Sequence, residues 1–447
     1  MQALPRSVRF GYSLGSLTAG AFGTVPGLLL LPYFTDSLGV AAFLAGALVL
    51  VPKAWDVIFN PIVGHISDST VSPIGPRRPF VMWGGLAAAV CFALIFAAPF
   101  GTADIAAPAW AAVLFVLCAT AYAFFQVPWS AMPAEMTADP LERTTLLTWR
   151  IAILAVAILV CGAVAPGIAD SGDGGLGSHR LMGLFVAVVM VVGTLGAYFG
   201  SRKAPIGPTT ESEPSLRQQF AVARTNKPYV GLLACFIIQG AGIATMLAGV
   251  NYFAEQVLHE DAAKTILFVA FVGPALIVMP LWTRLGARLG KRASFVLASL
   301  VFGLGALLLG LTVWLDLPAA VSYVVTMLVG IGYAGEQVFA LSMLPDCIAY
   351  DTARTGKQQG GVFAGLWTAG ETFGYAFGPG IFALFLAVSG YVSHKAGEHP
   401  VQPHGVELGV TLGFTVVPAV LMIGALWLVR SYPTAPADEW VAVPSAA

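Results

Sequence analysis

Charge is scarce in this chain: 10% of its 447 residues are Asp, Glu, Lys or Arg, against 57% apolar, and mean hydropathy is +0.82. Soluble domains carry about 25% charged residues, so this composition excludes an ordinary globular domain in water. A net charge of −1 leaves no basic surface, and nucleic acid is not an expected partner. No Ser/His/Asp set, HExxH, P-loop or Cys/His cluster stands together, which argues against an enzyme and names no catalytic residue. Cys91, Cys118, Cys161, Cys235 and Cys347 are scattered, without close pairs, so neither a disulfide nor a metal site is expected. His394, His399 and His404 share a loop but lack metal-ligand spacing. The first apolar stretch follows Arg6 and Arg9 and is not followed by a small-residue cleavage site, so it reads as a retained helix and not a signal peptide.

Long apolar runs fill the space that charge vacates. About 20 apolar residues cross a ~30 Å hydrocarbon core. Punctuation by Gly, Pro and charge predicts spans at 10–35, 40–64, 80–100, 108–134, 146–169 and 181–200, then at 229–257, 265–285, 293–314, 319–345, 361–389 and 407–430. The expected fold is all-α and integral to the membrane, with twelve transmembrane helices. The expected organisation is an N-terminal six-helix bundle (1–200), a polar linker (201–228), a C-terminal six-helix bundle (229–430) and a short tail (431–447). Most of the 22 Lys and Arg residues then fall on one side, and only Arg180, Lys264 and Lys395 on the other. By the positive-inside rule both termini are cytoplasmic and the chain is multi-pass in a plasma membrane, the inner membrane in a bacterium.

An internal repeat joins the halves. Ser130, Pro133 and Asp139 near the end of span four recur at one constant offset as Ser342, Pro345 and Asp351 near the end of span ten. Gly75-Pro-Arg77-Arg78 after span two resembles Gly290-Lys291-Arg292 after span eight. Together these matches favour two parallel, pseudo-symmetric halves, with a site at mid-membrane.

The second span carries Lys53, Asp56 and Asn60, spaced three and four apart and therefore on one helical face. A charge at mid-bilayer costs on the order of 2.5 to 3.5 kcal/mol on insertion scales, so such residues face a wet cavity or a partner and mark an ion or solute path. Arg150 in span five and Glu371 in span eleven raise the same question.

Gly64-x-x-x-Asp68 with Gly75-x-Arg77-Arg78, and Gly286-x-Arg288-x-Gly290-Lys291-Arg292, resemble the paired loop signature of the major facilitator superfamily. Tyr33-Phe-Thr-Asp36, Lys53-Ala-Trp-Asp56-Val-Ile-Phe-Asn60-Pro61, Gln126-Val-Pro-Trp129-Ser130 and Pro345-Asp-Cys-Ile-Ala-Tyr350-Asp351 narrow the resemblance to the glycoside-pentoside-hexuronide cation symporters, over essentially the whole chain. The resemblance implies the major facilitator fold and a symporter that alternates access by rocking its halves. It also implies roles for particular residues. The family has two carboxylates one turn apart on helix two for the coupling Na+, Li+ or H+; Asp56 matches the first and Asn60 replaces the second. An amide oxygen brings no charge to offset cation dehydration, which weakens a Na+ site and shifts the expectation toward H+ at Asp56. Lys53 stands at a position that is usually basic and is expected either to pair with Asp56 or to form a structural ion pair. Gly20 and Gln126 stand near the positions at which the family has two sugar-contacting carboxylates. Trp129 would stack a sugar or pack, and Arg150 matches a basic residue on helix five. Glu371 stands near a family Lys and could pair with Arg150, take a proton or bind a cation. Glu336, Gln337 and Trp367 are further candidates for the solute cavity, with Gln239, Asn251 and Glu255 weaker still. Gate contacts are expected from Asp68, Arg77, Arg78, Arg288, Lys291, Arg292, Glu135, Asp346 and Asp351, by charge pairing at helix ends.

The expected function is secondary active transport of a polar or amphiphilic, sugar- or glycoside-like solute coupled to H+, less readily to Na+, with no cofactor or metal. The expected partners are the solute and the lipid bilayer, and the protein is expected to be monomeric. Missing carboxylates at 20 and 126 keep open lysolipid, aromatic or drug-like cargo, export and uncoupled facilitation. A receptor or membrane-embedded enzyme is a distant alternative.

Overall fold

The computed structural model describes residues 4–433 apart from 71, 99–105, 138–139, 172–174, 203, 205–220, 261, 357–359, 397 and 399. The linker and tail expected from sequence therefore lie largely outside the described residues, and so does the Asp68 side chain.

Helices dominate because a buried backbone in hydrocarbon must satisfy its own N–H and C=O groups, which an isolated span can do only as a helix. In chain order they are α1 (Arg6–Leu30), α2 (Ala42–Ser69), α3 (Arg78–Ile95), α4 (Ala106–Met136), α5 (Pro140–Ala169), α6 (Leu176–Ser201), α7 (Lys227–Leu258), α8 in two arms (Ala263–Ile277 and Met279–Leu289), α9 (Lys291–Trp314), α10 (Ala319–Thr355), α11 (Gly360–Val388) and α12 (Gly405–Ser431). Among the described residues, ten of them are long and apolar enough to cross a membrane, and the α8 arms, bent by 56°, make eleven if counted as one span. The remaining expected span, α2, has 28 residues and carries the polar stripe, and several of its side chains lie outside the described residues. Length and apolarity alone thus do not establish the expected count. The α8 bend has a local cause: Pro280 follows the break at Val278, lacks an N–H for the preceding turn and crowds its carbonyl.

The chain divides into two compact units, Met1–Ser212 with Gly390–Pro403, and Glu213–Ser389 with His404–Ala447. Inside unit one, α3 packs on α4 and α6, α2 on α4, and α1 on α5 and α6. Unit two repeats the scheme six helices later: α9 packs on α10 and α12, α8 on α10, and α7 on α11 and α12. Close approach between α1 and α6 depends on glycine, since a Cβ built on Gly11 would collide with the Gly200 Cα. Outward positions such as Phe43, Val113, Leu184 and Val388 are exposed and apolar, as a lipid-facing surface requires.

Segment 390–403 joins α11 to α12 yet belongs with unit one. The His394 and Ala396 amides donate to the Thr35 and Ser37 carbonyls, and the Tyr391 hydroxyl donates to the Asp36 carboxylate at 2.7 Å. Asp36, in the family-like Tyr33–Asp36 segment, is thus held at the end of the first span.

Candidate functional site

In unit one the α2 stripe sits where helical spacing places it. Asp56 is buried and its Oδ1 has no hydrogen-bond partner among the described residues. Lys53, half-buried one turn earlier, is the cation acting on it, but no direct ion pair joins them. Asn60, one turn later, is half-buried. The neighbouring Trp55 indole ties α2 to α4 by donating to the Thr120 hydroxyl at 3.1 Å.

Helix α4 presents Cys118, Tyr122 and Gln126 at four-residue intervals, hence on one face. Asp56 acts electrostatically on both Cys118 and Tyr122, which brings this face toward the stripe. Tyr122 donates to Gln126 Oε1 at 3.1 Å and stacks on Phe22 with ring centroids 3.9 Å apart. Gln126 therefore has its carbonyl oxygen engaged within its own helix.

Arg150 on α5 closes the cluster. Its guanidinium lies 4.1 Å over the Trp129 ring and interacts with Tyr12, while its carbonyl accepts from the Ser16 hydroxyl at 2.7 Å. Trp129 is fully buried and stacks on both Tyr12 (5.3 Å) and Phe125 (5.5 Å); its indole donates to the Tyr12 carbonyl, and the Tyr12 hydroxyl donates to the Trp129 carbonyl, each at 3.1 Å. In this structure the Trp129 ring is occupied by protein partners. Gly20 is likewise a packing position, because a Cβ there would lie 2.6 Å from the Ala157 Cβ on α5. Sequence reading passed over Tyr12 and Tyr122; the four-residue spacing from Tyr122 to Gln126 was the available signal for the latter.

Unit two gathers a second set. Glu336 on α10 has no exposed surface, and neither carboxylate oxygen has a hydrogen-bond partner among the described residues. Gln337 donates to the Tyr375 hydroxyl at 3.1 Å, and Glu371, one turn before Tyr375 on α11, is half-buried. Trp367 is buried and stacked on Phe236 at 4.5 Å. Gln239 holds helices together, donating to the Ser299 hydroxyl and the Met422 carbonyl at 3.1 and 3.0 Å. Asn251 is buried and Glu255 exposed near the end of α7.

Of the gate candidates, Arg77 pairs with Glu135 at 2.7 Å and donates to Ser67, and Arg78 donates to the Ser201 and Ala204 carbonyls. In unit two Lys291 pairs with Asp346 at 2.6 Å, and the Tyr432 hydroxyl also donates to Asp346 at 2.7 Å. Burial and that carboxylate push the Tyr432 hydroxyl above its ordinary range, which keeps it a donor. Asp351, buried, pairs with Arg354 at 3.0 Å. Arg288 is exposed and Arg292 half-buried, neither with a charged partner among the described residues. Glu135 is thus met by an arginine and Asp346 by a lysine. The repeat extends to atoms: Ser130 donates to the Val127 carbonyl at 2.8 Å and Ser342 to the Phe339 carbonyl at 3.0 Å.

A family description, MFS/sugar transport protein, matches residues 11–435. A putative glycoside/cation symporter of Escherichia coli (strain K12), YagG, is 26% identical, covering 97% of this chain and 93% of its own. The isoprimeverose transporter of Lactiplantibacillus pentosus is 25% identical, covering 88% and 82%. Among solved structures, a D-xylose-proton symporter superposes with a TM-score of 0.69 over 96% of this chain and 98% of its own; at 14% identity that likeness concerns the fold.

Proposed function

The chain belongs to the MFS/sugar transport protein family, a multi-pass secondary active solute transporter and not an enzyme, and on that premise we propose that it carries a sugar- or glycoside-like molecule coupled to H+. The observation that carries the coupling assignment is Asp56: a buried carboxylate whose Oδ1 lacks a donor, beside Lys53 but not paired with it. Such a group gains from binding a proton and loses it when water or Lys53 approaches. Asn60 supplies no second charge, so a dehydrated Na+ is poorly compensated there. Arg150, held over Trp129, is the group we assign to the solute, as a fork of donors suited to hydroxyl or carboxylate oxygens. Both termini are assigned to the cytoplasm by the distribution of Lys and Arg, and the unit of function to the monomer.

The test is transport in proteoliposomes with isoprimeverose as probe, chosen because a relative is named for it. Asp56→Asn is expected to abolish accumulation driven by a pH gradient while leaving exchange across the membrane in place. Accumulation at the wild-type level removes Asp56 from coupling.

A further inference from the structure

Glu336 is completely buried and has no hydrogen-bond donor for either oxygen among the described residues. Asp351 is nearly as buried, but Arg354 answers it. We propose that Glu336 is a second proton-binding site, lying in the core of unit two, that takes up and releases H+ during the transport cycle.

An unpaired carboxylate in a low-dielectric interior costs several kcal/mol, whereas the neutral acid does not carry that penalty. Among the described residues nothing around Glu336 offsets a negative charge. The charged group that acts on it is Glu371 of α11, a like charge. Its other titratable neighbours are uncharged at neutral pH: Cys235 of α7, Tyr375 of α11 and Tyr333 of its own helix. The basic residues of the helices packed on α10 stand at helix ends: Lys227 opens α7, Lys264 opens α8, Arg284 and Arg288 close α8, and Lys291 and Arg292 open α9. Lys291 meets α10 at Ser342 and Asp346, roughly 9 to 15 Å farther along at ~1.5 Å per residue. A cation other than H+ would need several oxygen ligands, and no group of three or more His, Cys, Asp or Glu converges among the described residues.

Glu336 also makes no structural hydrogen bond here, unlike Gln239 on the α7 face it shares with Cys235, whose amide bridges Ser299 and Met422. Its ionisable hydrogen is therefore the property this position adds over an apolar residue of similar volume. In the release step the carboxylic O–H bond breaks, the electron pair stays on the oxygen, and H+ passes to water once the Gln337–Tyr375 contact and half-buried Glu371 are wetted.

The inference rests on the transporter reading but not on the assignment to Asp56. Infrared difference spectra of the full-length protein in detergent, in H2O and D2O, test it without a solute. Wild-type protein at neutral pH is expected to show the C=O stretching band of a protonated, apolar-shielded carboxylic acid. The band should shift in D2O, disappear reversibly on alkalinisation and be lost in Glu336→Gln. Glu336→Asp should retain a displaced band, which covers the case in which the Gln variant fails to fold. No such band at neutral pH, a band unaltered in Glu336→Gln, or one that neither exchanges nor titrates overturns the proposal. Asp56→Asn should leave this band in place, so failure of either assignment can be told from failure of the other.

Discussion

Lys53, Asp56 and Asn60 share a face because of helical geometry, and the burial of Asp56 fits the cost of exposing a charge to lipid. Trp129 was not legible in that way. Its ring is covered by Tyr12, far away in sequence, and by a guanidinium from α5, neither of which periodicity within α4 can reveal. A desolvated cation–π contact contributes up to about 2 kcal/mol. Arg150→Met is accordingly expected to lower the thermal midpoint and red-shift Trp emission, with Arg150→Lys recovering part of both. Unchanged melting and emission in Arg150→Met would show that the stack contributes nothing. At Asn60 the expectation is negative: millimolar Na+ should not raise the melting temperature of the purified protein, and a clear rise would restore a sodium site.

Elements were legible where apolar runs were long and less so where polarity or proline intervened. Helix α2 was marked both by its apolar run and by its polar stripe. The α8 bend needed the atoms, since a proline inside an apolar run allows either a kink or a stop. The small residues of α1 suggested close packing, and Gly11 against Gly200 gives that suggestion an address. Overpacking costs typically about 1 to 3 kcal/mol, so Gly11→Leu is expected to lower thermal stability and monodispersity on size-exclusion chromatography, whereas Ala substitution at the open Gly167 should be nearly neutral. Equal profiles for the two variants would mean that the α1–α6 contact tolerates widening.

At the scale of the whole molecule, a faint repeat of Ser, Pro and Asp became a packing scheme shared helix for helix by both units. It was faint because lipid-facing positions accept any apolar residue, so only turn and helix-end chemistry keeps a readable trace. Arg77–Glu135 and Lys291–Asp346 are such traces. Arg77→Ala and Lys291→Ala are each expected to shift protease accessibility at the helix ends, with little change in helix content by circular dichroism; identical digestion patterns would deny them a gating role. What sequence did not disclose is the allegiance of residues 390–403, because backbone hydrogen bonds to Thr35 and Ser37 leave no mark on side-chain pattern.

That allegiance bears on genetic dissection. Were the gene cut after codon 212, each product would keep a full six-helix packing scheme, but the second polypeptide would also carry the stretch that hydrogen-bonds to the first. The two fragments, co-expressed from separate promoters, are expected to copurify through a tag on either one. Exchanging 390–403 for a Gly/Ser tether of equal length should diminish the recovered pair, as should Asp36→Ala to a lesser degree. In such a bipartite protein, the stretch would serve as a non-covalent suture.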